Sequence, residues 1–328
     1  MSLRNRELLN LVVVGALTAL GFASVYIARQ SVVSTASLSY AGFFFALYLA
    51  AHLVCRLTVP AADPYLLPMA ALLTAIGVTE IYRIRPGDAF RQGVWIIIAV
   101  GVFAGTLWSL RRDYRRLESY KYIFGLTAIG LLVLPALPGL GATVNGARLW
   151  IHFGSLQFQP GEIAKLCLIV FLAAYLREKR EVLAQGRLKD FGPLLLIWGG
   201  AMLVLVETND LGSALLYFGI FLGMLYVATG RMLFVTRGMK IALFADHGFS
   251  KLLAAGLTFS FALQTFIIVG GILRIIPLTG ITLPFVSYGG SSVVANFVLL
   301  AGLLLVSNRA NAPRGAGTAR SRSLPSPR

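Results

Sequence analysis

A chain of 328 residues that is 57% hydrophobic and 13% charged is not a soluble domain, in which about a quarter of the residues are charged. The formal charge of +16 would suit a nucleic-acid partner, but the basic residues are scattered over every segment between apolar runs, the pattern that orients a membrane protein. Two cysteines and three histidines without ligand spacing imply neither a disulfide framework nor a metal site. No P-loop, dinucleotide-binding glycine pattern or nucleophile elbow occurs.

The apolar runs recur at membrane-spanning length. They predict about ten spans: 9–28, 41–56, 65–82, 92–110, 121–137, 161–176, 191–206, 211–228, 252–270 and 290–306. The first run is too long for a signal-peptide core and no small-residue cleavage site follows it, which marks a retained anchor. Pro160 and Pro193 stand where the sixth and seventh spans begin, positions that tolerate proline. With the N-terminus inside, the inner loops hold 22 Lys or Arg and the outer loops 6, Lys165 lying within a span. That bias puts both termini in the cytoplasm. Cys55 and Cys167 fall within spans as small packing residues. The segment Asn308–Arg328 has five Arg, no acid and several Pro, Gly and Ser; it is expected to be a disordered basic cytoplasmic tail lying near anionic lipid. The expected class is therefore all-α, a polytopic helical membrane protein.

Ionisable and helix-breaking residues inside a bilayer are costly unless they face a partner or a cavity, and three such places occur at expected outer ends. The first, GATVNGARLWIHFGSLQFQPGEIAK (141–165), begins too polar and Gly-rich to span. Gln159-Pro160 then opens a helix on which Glu162 and Lys165 share a face, with Glu162 in the first turn, where the helix dipole favours a carboxylate. The pair suits either a self-neutralising entry into the membrane or the wall of a polar cavity, with Arg148 above it as a phosphate-ready cation. The second, ETNDLGSALL (207–216), puts Glu207 and Asp210 at a hairpin tip, where Asp210 suits a helix cap. The third runs from GGILRIIPLTGIT into LPFVSYGGSSVVANF (283–297). Its prolines forbid a continuous helix, while Gly289-Gly290 allows a close backbone approach. Ser291 and Ser292 are placed to cap the last span, and Gln264 and Asn296 to satisfy backbone groups freed by the break. Non-helical backbone at this depth belongs in a protein interior or a cavity wall. A channel, a transporter and a membrane-embedded transferase all fit.

In combination these stretches resemble the SEDS family (shape, elongation, division, sporulation), typified by RodA, FtsW and SpoVE. The resemblance rests on Asn145-Gly146-Ala147-Arg148-Leu149-Trp150, then Gln159-Pro160-Gly161-Glu162 with Lys165, then Thr208 to Ala214, then the full PLTGI-x-LPF-x-SYGGSS signature from Pro277 to Ser292. It covers about residues 120–307, leaving 1–119 as four N-terminal spans whose HLVCRLTVPAADPYLLP stretch looks like the longer actinobacterial branch. The resemblance implies a peptidoglycan glycosyltransferase. Such a protein polymerises lipid II at the outer face of the cytoplasmic membrane, beside a class B penicillin-binding protein; a lipid II flippase and a non-catalytic scaffold for that partner are the alternatives. It implies a substrate-binding set of Arg148, Glu162, Lys165, Asp210, Gln264, Ser287, Tyr288, Gly289, Gly290 and Ser291. No cofactor is expected beyond a divalent cation that Glu162 and Asp210 would orient.

The chain departs from that family pattern at one place. Family members carry a large extracellular loop with two flanking spans, and the loop holds the aspartate regarded as catalytic. Here the pattern stops near Val235 and resumes near Thr236, and Asp246 lies in what resembles a cytoplasmic approach to the penultimate span. Loss of two spans together preserves the orientation of the rest, but no catalytic residue is identifiable, because a base for the acceptor hydroxyl is missing.

Overall fold

The computed structural model describes residues 2–30, 35–138, 140–144, 147–153, 156–179, 192–208, 210–229, 247–272, 284–286 and 289–311. Within them the apolar runs form ten helices of 13 residues or more, because a helix is the one open structure that satisfies its own backbone in lipid. These are α1 (Leu3–Gln30), α2 (Thr35–Thr58), α3 (Leu66–Ile84), α4 (Pro86–Leu110), α6 (Lys121–Val133), α7 (Pro160–Glu178), α8 (Gly192–Glu207), α9 (Leu211–Thr229), α10 (Gly248–Ile272) and α11 (Gly290–Asn311), with a single turn, α5 (Arg116–Ser119), between α4 and α6. Six of the helices are long and apolar enough to cross a bilayer by length and composition. The chain is a multi-pass helical membrane protein.

The centre of the bundle is α7, whose residues from Ala164 to Leu176 are all buried. A helix apolar on every side belongs in an interior, and α7 packs against α6, α8, α9, α10 and α11. The second buried helix, α11, lies mainly against α4. Exposed Leu, Val and Ile line α1 and α8, as on a lipid-facing surface.

Polar ties gather at one end of the bundle. The start of α1 reaches the loop after α2, where Arg4 donates to the Ala62 carbonyl. In the same loop the Ala61 N–H donates to Asn308 Oδ1 at 2.7 Å and the Asp63 N–H to Ser307 Oγ at 3.0 Å. The start of α1 and the end of α11 therefore lie at the same end. There Arg309 also holds Asp113 and the Arg112 carbonyl, Tyr114 donates to Ser250 Oγ at 2.5 Å, and Arg177 pairs with Glu118.

The opposite end carries a feature that the sequence did not announce, a three-stranded antiparallel sheet: β1 (Gly141–Val144), β2 (Ala147–Phe153) and β3 (Leu156–Phe158). β2 pairs with β1 from Gly141↔Ile151 to Val144↔Ala147, with a bulge at Ala142/Thr143, and with β3 from Ile151↔Phe158 to Phe153↔Leu156. The sheet sits over the start of α7 and touches α11 through β3.

Two expectations change. The expected tail begins inside α11, which continues through Asn311 because Asn308 and Arg309 are held by the loops described above. α1 begins at Leu3 rather than near residue 9, because Arg4 and Glu7 pair with each other and Glu7 Oε1 lies 2.6 Å from His52 Nδ1, so both charges are buried. The junction at 235/236, Asp246, the 273–283 stretch, Ser287, Tyr288 and the tail beyond Asn311 fall outside the described residues.

Candidate functional site

The site assembles at the sheet end, around the first turns of α7. Pro160 occupies a first-turn position, and Glu162 follows in that turn. One turn on, Lys165 Nζ donates to Glu162 Oε2 at 2.9 Å and to Gln264 Oε1 of α10, also at 2.9 Å. All three side chains are buried, Gln264 completely. In low dielectric such a pair persists only when its remaining valences are met, and here the amide of Gln264 takes a second Lys165 proton.

The hairpin between α8 and α9 is tied to the same turn. Tyr217 of α9 donates its hydroxyl to the Gly161 carbonyl at 2.8 Å. Asp210 caps α9 as expected: its Oδ1 accepts the Ser213 N–H at 2.9 Å, while its own N–H reaches the Leu205 carbonyl at 2.9 Å. Burial pushes the Asp210 carboxyl above the usual range, against the lowering pull of Ser213, and the nearby Glu162 charge pushes the same way. Glu207, by contrast, is exposed.

The Gly-Gly-Ser-Ser stretch closes the third side. The Gly289 N–H lies 3.4 Å from Gln92 Oε1 of α4, and Gly290 lies so close to Trp95 that a Cβ there would come within 2.0 Å of its ring. The close approach expected of these glycines is a helix packing contact. Ser291 and Ser292 do not cap α11, which starts at Gly290 with the Gly289 carbonyl accepting from Val293. Ser291 Oγ instead accepts the Gln159 N–H at 3.1 Å, joining this stretch to the mouth of α7, and Ser292 Oγ accepts from Asn296 at 3.3 Å. Just upstream, Phe285 holds a positive φ of 63°, costly for a non-glycine residue. Its ring is buried against Phe261 and Phe297, at centroid separations of 5.9 and 5.4 Å. Behind it, Gly77 of α3 abuts the Val286 backbone, where a Cβ would meet the carbonyl oxygen at 2.4 Å.

Glu162, Lys165 and Gln264 are thus in direct contact. Gly289, Gly290 and Ser291 join them through Gln159, and Asp210 adjoins from the α8–α9 hairpin. Arg148 stands apart: its Nη2 donates to the Leu137 carbonyl at 3.2 Å, on the turn before the sheet. Gln92, Trp95, Tyr217 and Gly77 also border this region and carry no sequence expectation. Gln92 follows Arg91 at the polar start of the 92–110 run, where an amide is ordinary, and nothing local marked the others. Among the described residues no group of three or more His, Cys, Asp or Glu is arranged to hold a metal.

A family model described as "Cell cycle protein", bearing the names FtsW, RodA and SpoVE, matches residues 65–235 and 231–312. The chain belongs to the FtsW/RodA/SpoVE family. The match comes in two pieces that meet at residues 231–235. Curated relatives of this family member include a Mycobacterium leprae protein and a Mycobacterium tuberculosis protein, both named peptidoglycan glycosyltransferase RodA. Each is 29% identical over 430 aligned positions, covering 94% of this chain and 91% or 92% of the relative. A Geobacter metallireducens protein named probable peptidoglycan glycosyltransferase FtsW is 23% identical over 75% of this chain and 95% of its own. Among solved structures, the rod shape determining protein RodA of Thermus thermophilus matches with a TM-score of 0.64 at 26% identity, over 77% of this chain and 98% of that one. A component of a peptidoglycan synthase complex that coordinates polymerization and crosslinking shares the fold, with a TM-score of 0.65 at 22% identity over 77% of this chain.

Proposed function

We propose that this FtsW/RodA family member acts on lipid II at the outer face of the cytoplasmic membrane, in peptidoglycan synthesis for cell elongation or division. One observation carries the reading: a buried Glu162–Lys165–Gln264 network at the sheet end, next to the glycine-serine stretch, in a chain whose relatives are named peptidoglycan glycosyltransferases. Lys165 and Arg148 of β2 are the cations that would meet the pyrophosphate. Asp210 and Glu162 would orient these groups or a divalent cation. The partner by this reading is a class B penicillin-binding protein.

A second reading is favoured by the two-piece family match: the chain is a polymerase by descent that lacks its base and serves as a scaffold. Reconstitution of the purified chain with lipid II separates them. Glycan strands from the unaltered chain establish polymerase activity. Strands only after the family loop and its flanking spans are inserted between Val235 and Thr236 establish an inactive remnant. Transfer of labelled lipid II across proteoliposomes, abolished by Arg148→Ala, would instead make the protein a flippase.

A further inference from the structure

At the end opposite the sheet, α4 runs out at the membrane surface in a pocket of about 330 Å³ lined by Trp108, Ser109, Arg111, Arg112, Asp113 and Arg116. Three of these are arginines with exposed side chains, and the single acid is already taken, because Asp113 Oδ1 accepts from Arg309 at 3.1 Å. Arg111 lies over the Trp108 ring, 3.8 Å from its centre, which fixes one guanidinium while leaving its N–H edge open. Trp108 is 56% exposed at the helix end, the level at which tryptophan marks the boundary between acyl chains and headgroups. The loop bearing the arginines is rigid: Tyr114 is buried and donates to Ser250, the Arg115 N–H closes a turn on Asp113 Oδ1 at 3.2 Å, and Arg309 also grips the Arg112 carbonyl at 3.1 Å. Among the described residues no carboxylate pairs with Arg112 or Arg116.

We infer that this pocket binds the phosphate of an anionic phospholipid, with Arg112 and Arg116 as its forked donors and Trp108 packed against the glycerol and upper acyl chain. Guanidinium groups recognise phosphate by paired N–H donation, and a basic pocket at the membrane surface is where lipid phosphate is present at high local concentration. Arginines following a helix end also complement its dipole, so the test must distinguish a built site from diffuse charge.

The full chain in a neutral detergent is titrated with dioleoyl phosphatidylglycerol or dioleoyl phosphatidylcholine, and retained lipid is counted by native mass spectrometry. The expected result is selective retention of phosphatidylglycerol that Arg112→Gln/Arg116→Gln weakens about thirtyfold, at roughly one basic contact's worth of affinity per residue. A charge-matched control, Arg6→Gln/Arg56→Gln, is expected to leave retention unchanged. The lysine pair Arg112→Lys/Arg116→Lys is expected to fall between, since charge remains but the fork is lost. Equal losses in the Arg112/Arg116 and control variants, or full retention by the lysine pair, would overturn the built site. Displacement of the lipid by millimolar inorganic phosphate, with no preference for phosphatidylglycerol, would overturn the lipid as its source.

Discussion

Lys165 is the residue on which the candidate site turns, because its two hydrogen bonds join α7 to itself and to α10. Lys165→Met should strand the buried Glu162 carboxylate and destabilise the protein by about 3–5 kcal/mol, seen as a lower melting temperature in detergent. Glu162→Gln/Lys165→Met should recover most of that loss, since no charge is left buried. Gly77→Ala is a second expected lesion, of about 1–3 kcal/mol, as its methyl would meet the Val286 backbone rather than a side chain able to rotate away. The same melting assay checks it. The Glu162–Lys165 pair was legible in the sequence because its i, i+3 spacing places it on one face. Gln264 was picked out as an amide among apolar residues, but Lys165 was not foreseen as a partner, since that contact is set by how α7 and α10 cross. Gly77 was illegible, as nothing beside it in the chain hints at residue 286.

Helices followed from the apolar runs, and where an element carries its own start signal the sequence placed it well. Pro160 opens α7 and Asp210 caps α9. The cap gives a prediction at this scale. Burial raises the Asp210 carboxyl, so its folded-state pKa exceeds the unfolded value of about 3.9. The folded state then binds the proton more tightly, and the stability Asp210 contributes is complete below the unfolded value and is lost as pH rises from there through the folded value. Asp210→Asn keeps an oxygen to accept from Ser213 and removes the charge. Its melting temperature should gain on the wild type as pH rises above about 4, whereas Asp210→Ala should lose about 1 kcal/mol of capping. The sheet from 141 to 158 was recognised only as too polar to span. Its strands are short and broken by glycine and a bulge, so no run of alternation was long enough to reveal them. The start of α1 was misplaced for a different reason: Arg4 and Glu7 have the composition of a loop and become helix-compatible only through His52 and Ala62, far along the chain.

Over the whole molecule the polar contacts divide between two ends, and those at the basic end link helices distant in sequence. Arg309 illustrates how such a link behaves. Its hydrogen bond, opposed weakly by burial, holds the Asp113 carboxyl below the usual range. A depressed carboxylate contributes stability above its unfolded pKa and loses it as pH falls through the folded value, so this tie holds at neutral pH and is lost as pH falls below the ordinary carboxylate range. An exposed pair of this kind contributes under about 1 kcal/mol. Arg309→Ala should therefore speed hydrogen exchange in residues 305–311 by about threefold and leave the centre of α7 unchanged. The positive-inside pattern gave an even number of crossings, and the shared location of the start of α1 and the end of α11 agrees with that parity. The loop between α2 and α3 has a consequence for how the protein is made. Its Ala61 and Asp63 amides find their partners on Asn308 and Ser307, which leave the ribosome 247 and 244 residues later. The α1–α2 hairpin must therefore wait in the membrane with that loop hydrated at the surface until α11 has been made and seals it.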